Sequence, residues 1–340
     1  MSIKLCAIGG YSEVGKNMTA LKIDNEAVIL DCGIFLPKLL DFEEEGGLRK
    51  NLTREGLISI GAIPNDSIID SWKDKVKVIA STHCHLDHIA AIPYNGNRYN
   101  CPVVGTPFTC EVLKSILVDE NLKLINPIKP LNPGSSYKIS KNIKIEFINI
   151  THSTLQTVMI AVHTPEGVII YANDFKFDNH PVLGKAPDYN RIKKIAQDNE
   201  IIALVVDSLY ADSQSKTPSE KVAREMLKDV MLGTNNEGHA VIATTFASHL
   251  ARLRSMIDFG KKLDRKIVFL GRSLKKYSSA AENIDLVKYS KEVEIYGYRN
   301  QIEKALKKIE KNREDYLIIC TGNQAEPRST LVRMANGDLP

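Results

Sequence analysis

The chain has 340 residues and a formal charge of +4, with 43% hydrophobic and 25% charged residues. These proportions are those of an ordinary globular protein, and they exclude a disordered chain, a collagen-like chain, a coiled coil and a bulk-basic nucleic-acid coat. At roughly 150 residues per domain the length implies about two domains.

The N-terminal residues lack the long apolar core and small-residue cleavage site of a signal peptide. No window approaches the 18 consecutive apolar residues of a membrane span. The six cysteines are scattered without a CxxC pair, so they read as reduced thiols of a cytoplasmic protein.

The first half reads as short strands in close succession. Residues 3–8 are apolar and end at Gly9-Gly10; residues 18–24 alternate; residues 27–32 are an apolar run ending at Gly33. Asp24-Asn25 is a hairpin signal between the last two. Residues 35–64 are polar and acidic and read as a surface insertion. Further strands are expected at 76–80, 143–150, 157–164 and 168–172, with helices near 89–99 and 108–119. Later the pattern changes. Apolar runs at 201–206, 240–245, 266–270 and 316–320 alternate with longer helical patterns, the mark of a parallel sheet covered on both faces. In residues 299–312, Ile302, Ala305, Leu306 and Ile309 share one helical face. A boundary near 198 divides the chain into domains 1–198 and 199–340.

The stretch Ser81-Thr82-His83-Cys84-His85-Leu86-Asp87-His88 holds three of the eight histidines within six residues. Imidazoles and carboxylates are the ligands that borderline metals such as zinc prefer. A strand precedes the stretch and a helix follows. Alternation can point His83 and His85 one way, while Asp87 and His88 at the helix start point another. One loop can thus serve two adjacent metals. The plain alternative is a polar helix entry with Asp87 as cap; a cap needs one polar residue, not four potential ligands.

This HxHxDH run resembles the metallo-β-lactamase fold, and the resemblance continues in the family's order. Asp31 matches the early supporting aspartate, His152 the third histidine ligand and Asp174 the bridging aspartate. The family implies that His83, His85 and His152 hold one metal and Asp87 and His88 the second, with Asp174 between them. Taken singly, His152 is equally a strand-end surface histidine and Asp174 a loop turn. Two departures stand out. Cys84 occupies a position where a small residue is usual, and is read as an inert spacer. Asn173 stands where relatives usually have Gly, and Asn tolerates positive φ.

The second half resembles the β-CASP insert of nucleic-acid-processing enzymes. Asp207, in Val205-Val206-Asp207-Ser208, matches its first acidic motif, and His249, in Ser248-His249-Leu250-Ala251-Arg252, its histidine motif. Alone, Asp207 reads as a helix cap and His249 as a helix N-terminal residue. The whole chain resembles the ribonuclease J family in its archaeal form. The carriers are Gly9-Gly10-Tyr11-Ser12-Glu13-Val14-Gly15-Lys16-Asn17, Asp174-Phe175-Lys176-Phe177-Asp178, Phe269-Leu270-Gly271-Arg272-Ser273 and Cys320-Thr321-Gly322-Asn323-Gln324-Ala325-Glu326-Pro327-Arg328-Ser329.

The resemblance implies an α/β metallo-β-lactamase αββα sandwich with a β-CASP parallel-sheet insert. It implies a two-metal phosphodiesterase acting on single-stranded RNA, a 5′-to-3′ exonuclease with added endonuclease activity. Two zinc ions are expected, with manganese or magnesium as alternatives. Asp87, Asp174, His249 and Asp207 are the expected catalytic residues, and Asp31 supports the histidines. Arg272 and Arg328 lead the candidate phosphate contacts, followed by Ser273, Ser329, Arg252, Lys275 and Lys276; each is equally a solvated surface group. A homo-oligomer is left open. The alternatives are a β-CASP DNA nuclease, a glyoxalase II-like thioester hydrolase and a non-catalytic RNA-binding protein.

Relatives supply two further histidines after the insert, whereas here no histidine follows 249. The expectation is therefore a C-terminally truncated chain with an exposed apolar sheet edge and an under-ligated second metal. Among the spare histidines, His163 and His239 are poorly placed and His180 is the only stand-in.

Overall fold

The computed structural model describes residues 2–48, 52–326 and 328–340. Part of the acidic stretch (49–51) and Pro327 of the late loop lie outside the described residues. The chain forms two compact units. The first comprises Met1–His152, Gln156–Phe177 and Pro187–Ser215; the second comprises Ser153–Leu155, Asp178–Ala186 and Lys216–Pro340.

The first unit contains two sheets. One joins β1 (Ile3–Gly9), β2 (Met18–Ile23), β3 (Glu26–Leu30), β4 (Val76–Ala80), β5 (Val103–Gly105) and β6 (Ile128–Pro130) in that order. Its first three strands are antiparallel and its last four run parallel. The other joins β7 (Ser136–Lys138), β8 (Lys144–Asn149), β9 (Val158–Thr164), β10 (Gly167–Ala172) and β11 (Ile201–Val206) in the order β11-β10-β9-β8-β7. Alternate residues of the two sheets meet in one core: Leu21, Val28, Leu30 and Val78 face Ile145, Phe147, Ile160 and Tyr171. The opposite parity of the second sheet, including Ile148, Met159, Ala161 and Val168, packs against Ile195 and Ile192 of the helix Tyr189–Asp198.

Three sequence expectations need adjustment. Residues 35–64 are not merely a polar surface insertion. They carry helices Leu36–Glu44 and Arg54–Ser59, and Ile34, Leu39, Leu57 and Ile63 are buried. Sparse apolar residues at helical spacing are enough to anchor a segment whose composition is otherwise polar. The boundary near 198 differs from the observed division. β11 pairs in parallel with β10, with Ile170 opposite Leu204 and Ala172 opposite Val206, so residues 201–206 belong to the first unit. An apolar run reads identically in either sheet, and periodicity cannot choose between them. Finally, Asn173 is not among the positive-φ residues, so it does not substitute for Gly by adopting a left-handed backbone. The edge strand β11 leaves Ile202, Leu204 and Val206 exposed.

The second unit is built on β12 (Val241–Thr244), β13 (Lys266–Leu270), β14 (Glu294–Tyr296) and β15 (Tyr316–Cys320). They lie in the order β12-β15-β13-β14 and are all parallel. Helix Arg299–Ile309 buries Ile302, Ala305, Leu306 and Ile309, the face its spacing predicts. Asp178 caps the start of helix Glu220–Gly233, accepting from the Ser219 hydroxyl at 2.6 Å and the Glu220 N–H at 2.7 Å. The buried Glu220 carboxylate then accepts two bonds from Arg252, at 2.7 and 2.9 Å, and faces His249 Nε2 at 3.4 Å.

Two measurements test this packing. Gly→Ala inside a helix normally stabilises by up to about 1 kcal/mol. At Gly260 the added Cβ would lie 2.5 Å from Leu317 Cδ2 and 3.0 Å from Ile267 Cδ1, both in the core. Overpacking of that kind costs about 1–3 kcal/mol, so Gly260→Ala should lower stability in denaturant titrations. Burial raises the Glu220 carboxyl, but hydrogen bonds from Arg252 and His249 outweigh it and hold the group down to about 2. Its stabilisation is therefore complete above pH 4.5 and is lost as pH falls toward 2. Glu220→Gln should remove about 2 kcal/mol at neutral pH and flatten the dependence of stability on pH between those limits.

Candidate metal centre

The site grows from two parallel strand ends. β3 and β4 are neighbours, and the Asp31 N–H continues their ladder to the Ala80 carbonyl at 2.9 Å. Asp31 then turns with φ 59°, which folds its carboxylate beneath the loop that leaves β4. That fully buried carboxylate accepts from the Thr82 N–H at 2.8 Å, the Thr82 hydroxyl at 3.0 Å and His88 Nδ1 at 2.9 Å. Because Nδ1 of His88 is tied to Asp31, Nε2 is the nitrogen left to face a metal. The Thr82 hydroxyl gives its one proton to Asp31, so it accepts from His83 Nδ1 at 3.0 Å. His83 Nε2 is left to face a metal in the same way. Asp31 thus sets two imidazole tautomers, one directly and one through Thr82, as expected of the supporting aspartate.

A second pair of strand ends supplies the remaining ligands. Thr151 and Lys176 form an isolated antiparallel bridge, with the Lys176 N–H donating to the Thr151 carbonyl at 2.7 Å. The Thr151 hydroxyl returns a bond to the Lys176 carbonyl. This bridge sets the His152 loop beside the Asp174 loop.

The six residues expected as ligands converge. His85 Nδ1 lies 3.0 Å from His83 Nε2 and 3.2 Å from His152 Nε2. Asp174 Oδ2 lies 3.8 Å from His83 Nε2, 3.5 Å from His152 Nε2 and 3.4 Å from His88 Nε2. Asp87 Oδ2 lies 3.4 Å from His88 Nε2. Two donor groups result: His83, His85, His152 and Asp174, and Asp87, His88 and Asp174. Ligands of a tetrahedral ion with bonds near 2.0 Å are about 3.3 Å apart, so the donor chemistry and spacing fit a small divalent cation. Cys84 is buried and belongs to neither group.

The electrostatics agree. Burial, reinforced by neighbouring imidazoles, holds His83 and His152 below the usual histidine range, so both are neutral, the ligating form. Burial would raise Asp87, but the adjacent His88 and His85 keep it below the usual carboxylate range. Asp174 is likewise held ionised against burial, chiefly by His88. Burial would lower His88, yet Asp87 and Asp31 raise it above its ordinary value. Metal entering this cluster must displace that proton.

Sequence reasoning passed over two contributors. The Asn17 side-chain amide donates to the Asp87 carbonyl at 3.1 Å and contacts His88 Nε2 at 3.2 Å. The only signal was its place in the opening loop. Gly33 passes so close to the metal loop that a Cβ would lie 1.6 Å from the Asp87 carbonyl oxygen.

The remaining candidates divide. Asp207 follows β11, beside the strand that leads to Asp174, and its N–H donates to the Ala172 carbonyl at 3.2 Å. Its carboxylate accepts from the Leu209 N–H at 2.8 Å, a turn-closing role, rather than from a histidine ligand. In the second unit, the loops after β12, β13 and β15 share the carboxyl edge of a parallel sheet, where ligands of α/β folds bind. His249 caps helix Leu250–Lys262 there. Arg272 and Ser273 open helix Arg272–Glu282 and are exposed. Arg328 is exposed with φ 64°, and Ser329 caps helix Thr330–Ala335. Lys275 packs its ammonium 4.7 Å from the Tyr298 ring, and Lys276 is half-buried on the same helix. Arg252 does not fit the phosphate-contact expectation, because Glu220 takes its guanidinium in a two-bond clamp. Among the described residues, His163, His180 and His239 are in neither donor group. His163 instead pairs with Glu146 at 3.0 Å.

Comparison with known proteins gives a consistent picture. Residues 12–228 match the family model of the metallo-beta-lactamase superfamily, and residues 238–339 match that of the ribonuclease J beta-CASP domain. Ribonuclease J of Methanocaldococcus jannaschii is 44% identical over 342 aligned positions, covering all of this chain and 76% of that protein. Ribonuclease J of Pyrococcus abyssi is 42% identical, covering 99% of this chain and 74% of that one. A crystal structure of a protein of unknown function from Enterococcus faecalis shares the fold with TM-score 0.62 at 17% identity, covering 93% of this chain and 76% of that one. With the ligand order, the αββα sandwich and two relatives above 40% identity in agreement, the chain belongs to the ribonuclease J family of the metallo-β-lactamase superfamily.

Proposed function

We propose that the chain is a metal-dependent ribonuclease that hydrolyses RNA phosphodiester bonds, working 5′ to 3′ on single strands and also cutting internally. The observation that carries this reading is the pair of donor groups sharing Asp174 in a ribonuclease J-family chain. His83, His85 and His152 would hold one ion, Asp87 and His88 the other, and Asp174 both. The imidazole-rich first group favours zinc over magnesium, with manganese between them. When bound, such ions neutralise phosphate charge and acidify a water.

The chain's own groups do the rest. Asp31 keeps His83 and His88 in the ligating tautomer. Asn17 fixes the carbonyl and carboxylate ends of Asp87. Glu220 holds the His249 ring through Nε2, and substrate would draw that Nε2 proton away to a phosphate oxygen or a leaving group. Arg272, Ser273, Arg328 and Ser329, with Lys275 and Lys276, stand at the sheet edge where a phosphate backbone would be tracked. Asp207 keeps the strand end beside Asp174 in place. A DNA nuclease or a thioester hydrolase is not favoured: the relatives are named for RNA cleavage, and a small thioester needs no parallel-sheet second unit. The chain is placed in the cytoplasm, where its six cysteines would stay reduced.

The deciding experiment offers labelled RNA, DNA and a thioester to the protein with zinc or manganese. RNA should shorten from its 5′ end, and chelation should abolish turnover. Asp174→Ala removes a ligand of both ions, and loss of several kcal/mol of charge stabilisation corresponds to roughly 100-fold or more in rate. His249→Ala should slow cleavage while leaving metal content unchanged. Faster turnover of DNA or thioester than of RNA would overturn the reading.

A further inference from the structure

Asn173 immediately precedes Asp174, the carboxylate common to both donor groups. Its backbone is not left-handed, so an Asn in place of Gly there is explained by its side chain. The Asn173 amide donates to the Tyr171 hydroxyl at 2.9 Å. Tyr171 lies near the end of β10, with its ring in the core between the two sheets. On the facing sheet Thr19 is buried too, and its oxygen lies 2.7 Å from the hydroxyl of Tyr11.

The Asn173–Tyr171 pair therefore ties the end of β10 to the residue beside the shared ligand. Neither is a metal ligand. A phenylalanine at 171 would fill the same apolar space, so the hydroxyl is not needed for packing. A buried hydroxyl without a partner is costly, and the Asn173 amide is the partner that matches this one. The backbone around Asp174 is held by the Lys176–Thr151 bridge on one side and by the Asp207 N–H on Ala172 on the other. Between these anchors the Asn173 amide supplies a side-chain tether.

We propose that Tyr171 is a positioning residue for Asp174, acting through Asn173. The proposal rests on the metal-centre reading of Asp174 and does not depend on RNA being the substrate.

The test is a cobalt(II) titration of the metal-free 340-residue chain, followed by visible ligand-field absorption and by chelator competition, alongside thermal melting. Tyr171→Phe and Asn173→Ala are measured singly and together. Each single variant should weaken cobalt affinity by about 10–100-fold, the usual effect of removing an outer-shell partner, and should shift the ligand-field bands. The double variant should be no worse than the weaker single, because both break one chain. Unchanged affinity and bands in both singles, even with a lower melting temperature, would overturn the proposal, as would additive losses in the double. Should Tyr171→Phe fail to fold, Asn173→Ala, at a partly exposed loop position, carries the test alone. Asp174→Ala is the reference: wild-type cobalt affinity in that variant would instead sink the metal-centre reading itself.

Discussion

The metal centre depends on one buried carboxylate. Asp31 is fully removed from solvent, and burying a carboxylate costs several kcal/mol unless its oxygens are matched. Here they accept from a backbone N–H, a hydroxyl and an imidazole. The φ of 59° adds roughly 1–3 kcal/mol of backbone strain for a non-glycine residue. What that strain secures is direction. An extended residue at the end of β3 would carry its side chain along the sheet, whereas the turn drives the carboxylate beneath the neighbouring loop. Everything above it follows: the Thr82 rotamer, the Nδ1 contacts of His83 and His88, and the Nε2 atoms that face Asp174.

The cluster is electrostatically unfinished without a cation. Four imidazoles and two carboxylates converge in two groups whose donor atoms lie within 4.8 Å of one another, and several are buried. Burial, reinforced by mutual repulsion, keeps His83 and His152 neutral, while Asp87 and Asp31 hold a proton on His88. The same groups that refuse one another's charge accept a divalent ion's, because its field acts on all six at once. The surrounding structure is rigid on this account: a Cβ on Gly33 would collide with the Asp87 carbonyl, and Asn17 ties that carbonyl to the opening loop.

How legible this was depended on distance along the chain. Four candidate ligands sit within six residues, so the motif announces its own chemistry. His152 and Asp174 were readable through order alone, since nothing local separates a ligand from a strand-end histidine or a turn aspartate. Asn17 was not readable, because its partners lie 70 residues away and its type is common in loops. Arg252 was misread for a related reason. Basic residues after a strand look alike in sequence whether they meet solvent, a phosphate or, as here, a buried Glu220. The strand 201–206 was recognised as a strand but given to the wrong sheet, because an apolar run records burial and not the neighbour that provides it.

Several of the candidate residues share one architectural setting. Three points of the first unit sit where neighbouring strands or bridged loops end together: Asp31 against Ala80, Thr151 against Lys176, Asp207 against Ala172. At such ends the ladder stops supplying partners, and side chains must take over the unpaired backbone groups. A side chain recruited for that purpose is also fixed in direction, which is what a ligand or a general acid requires. Asp207 shows the limit of the rule, since its carboxylate is spent on the Leu209 N–H and the turn that follows. Asp31 shows its strength, since the atoms that close its strand end also set two histidine tautomers. Strand-end accounting, more than residue type, therefore separates the groups that make this site from those that only finish the fold around it.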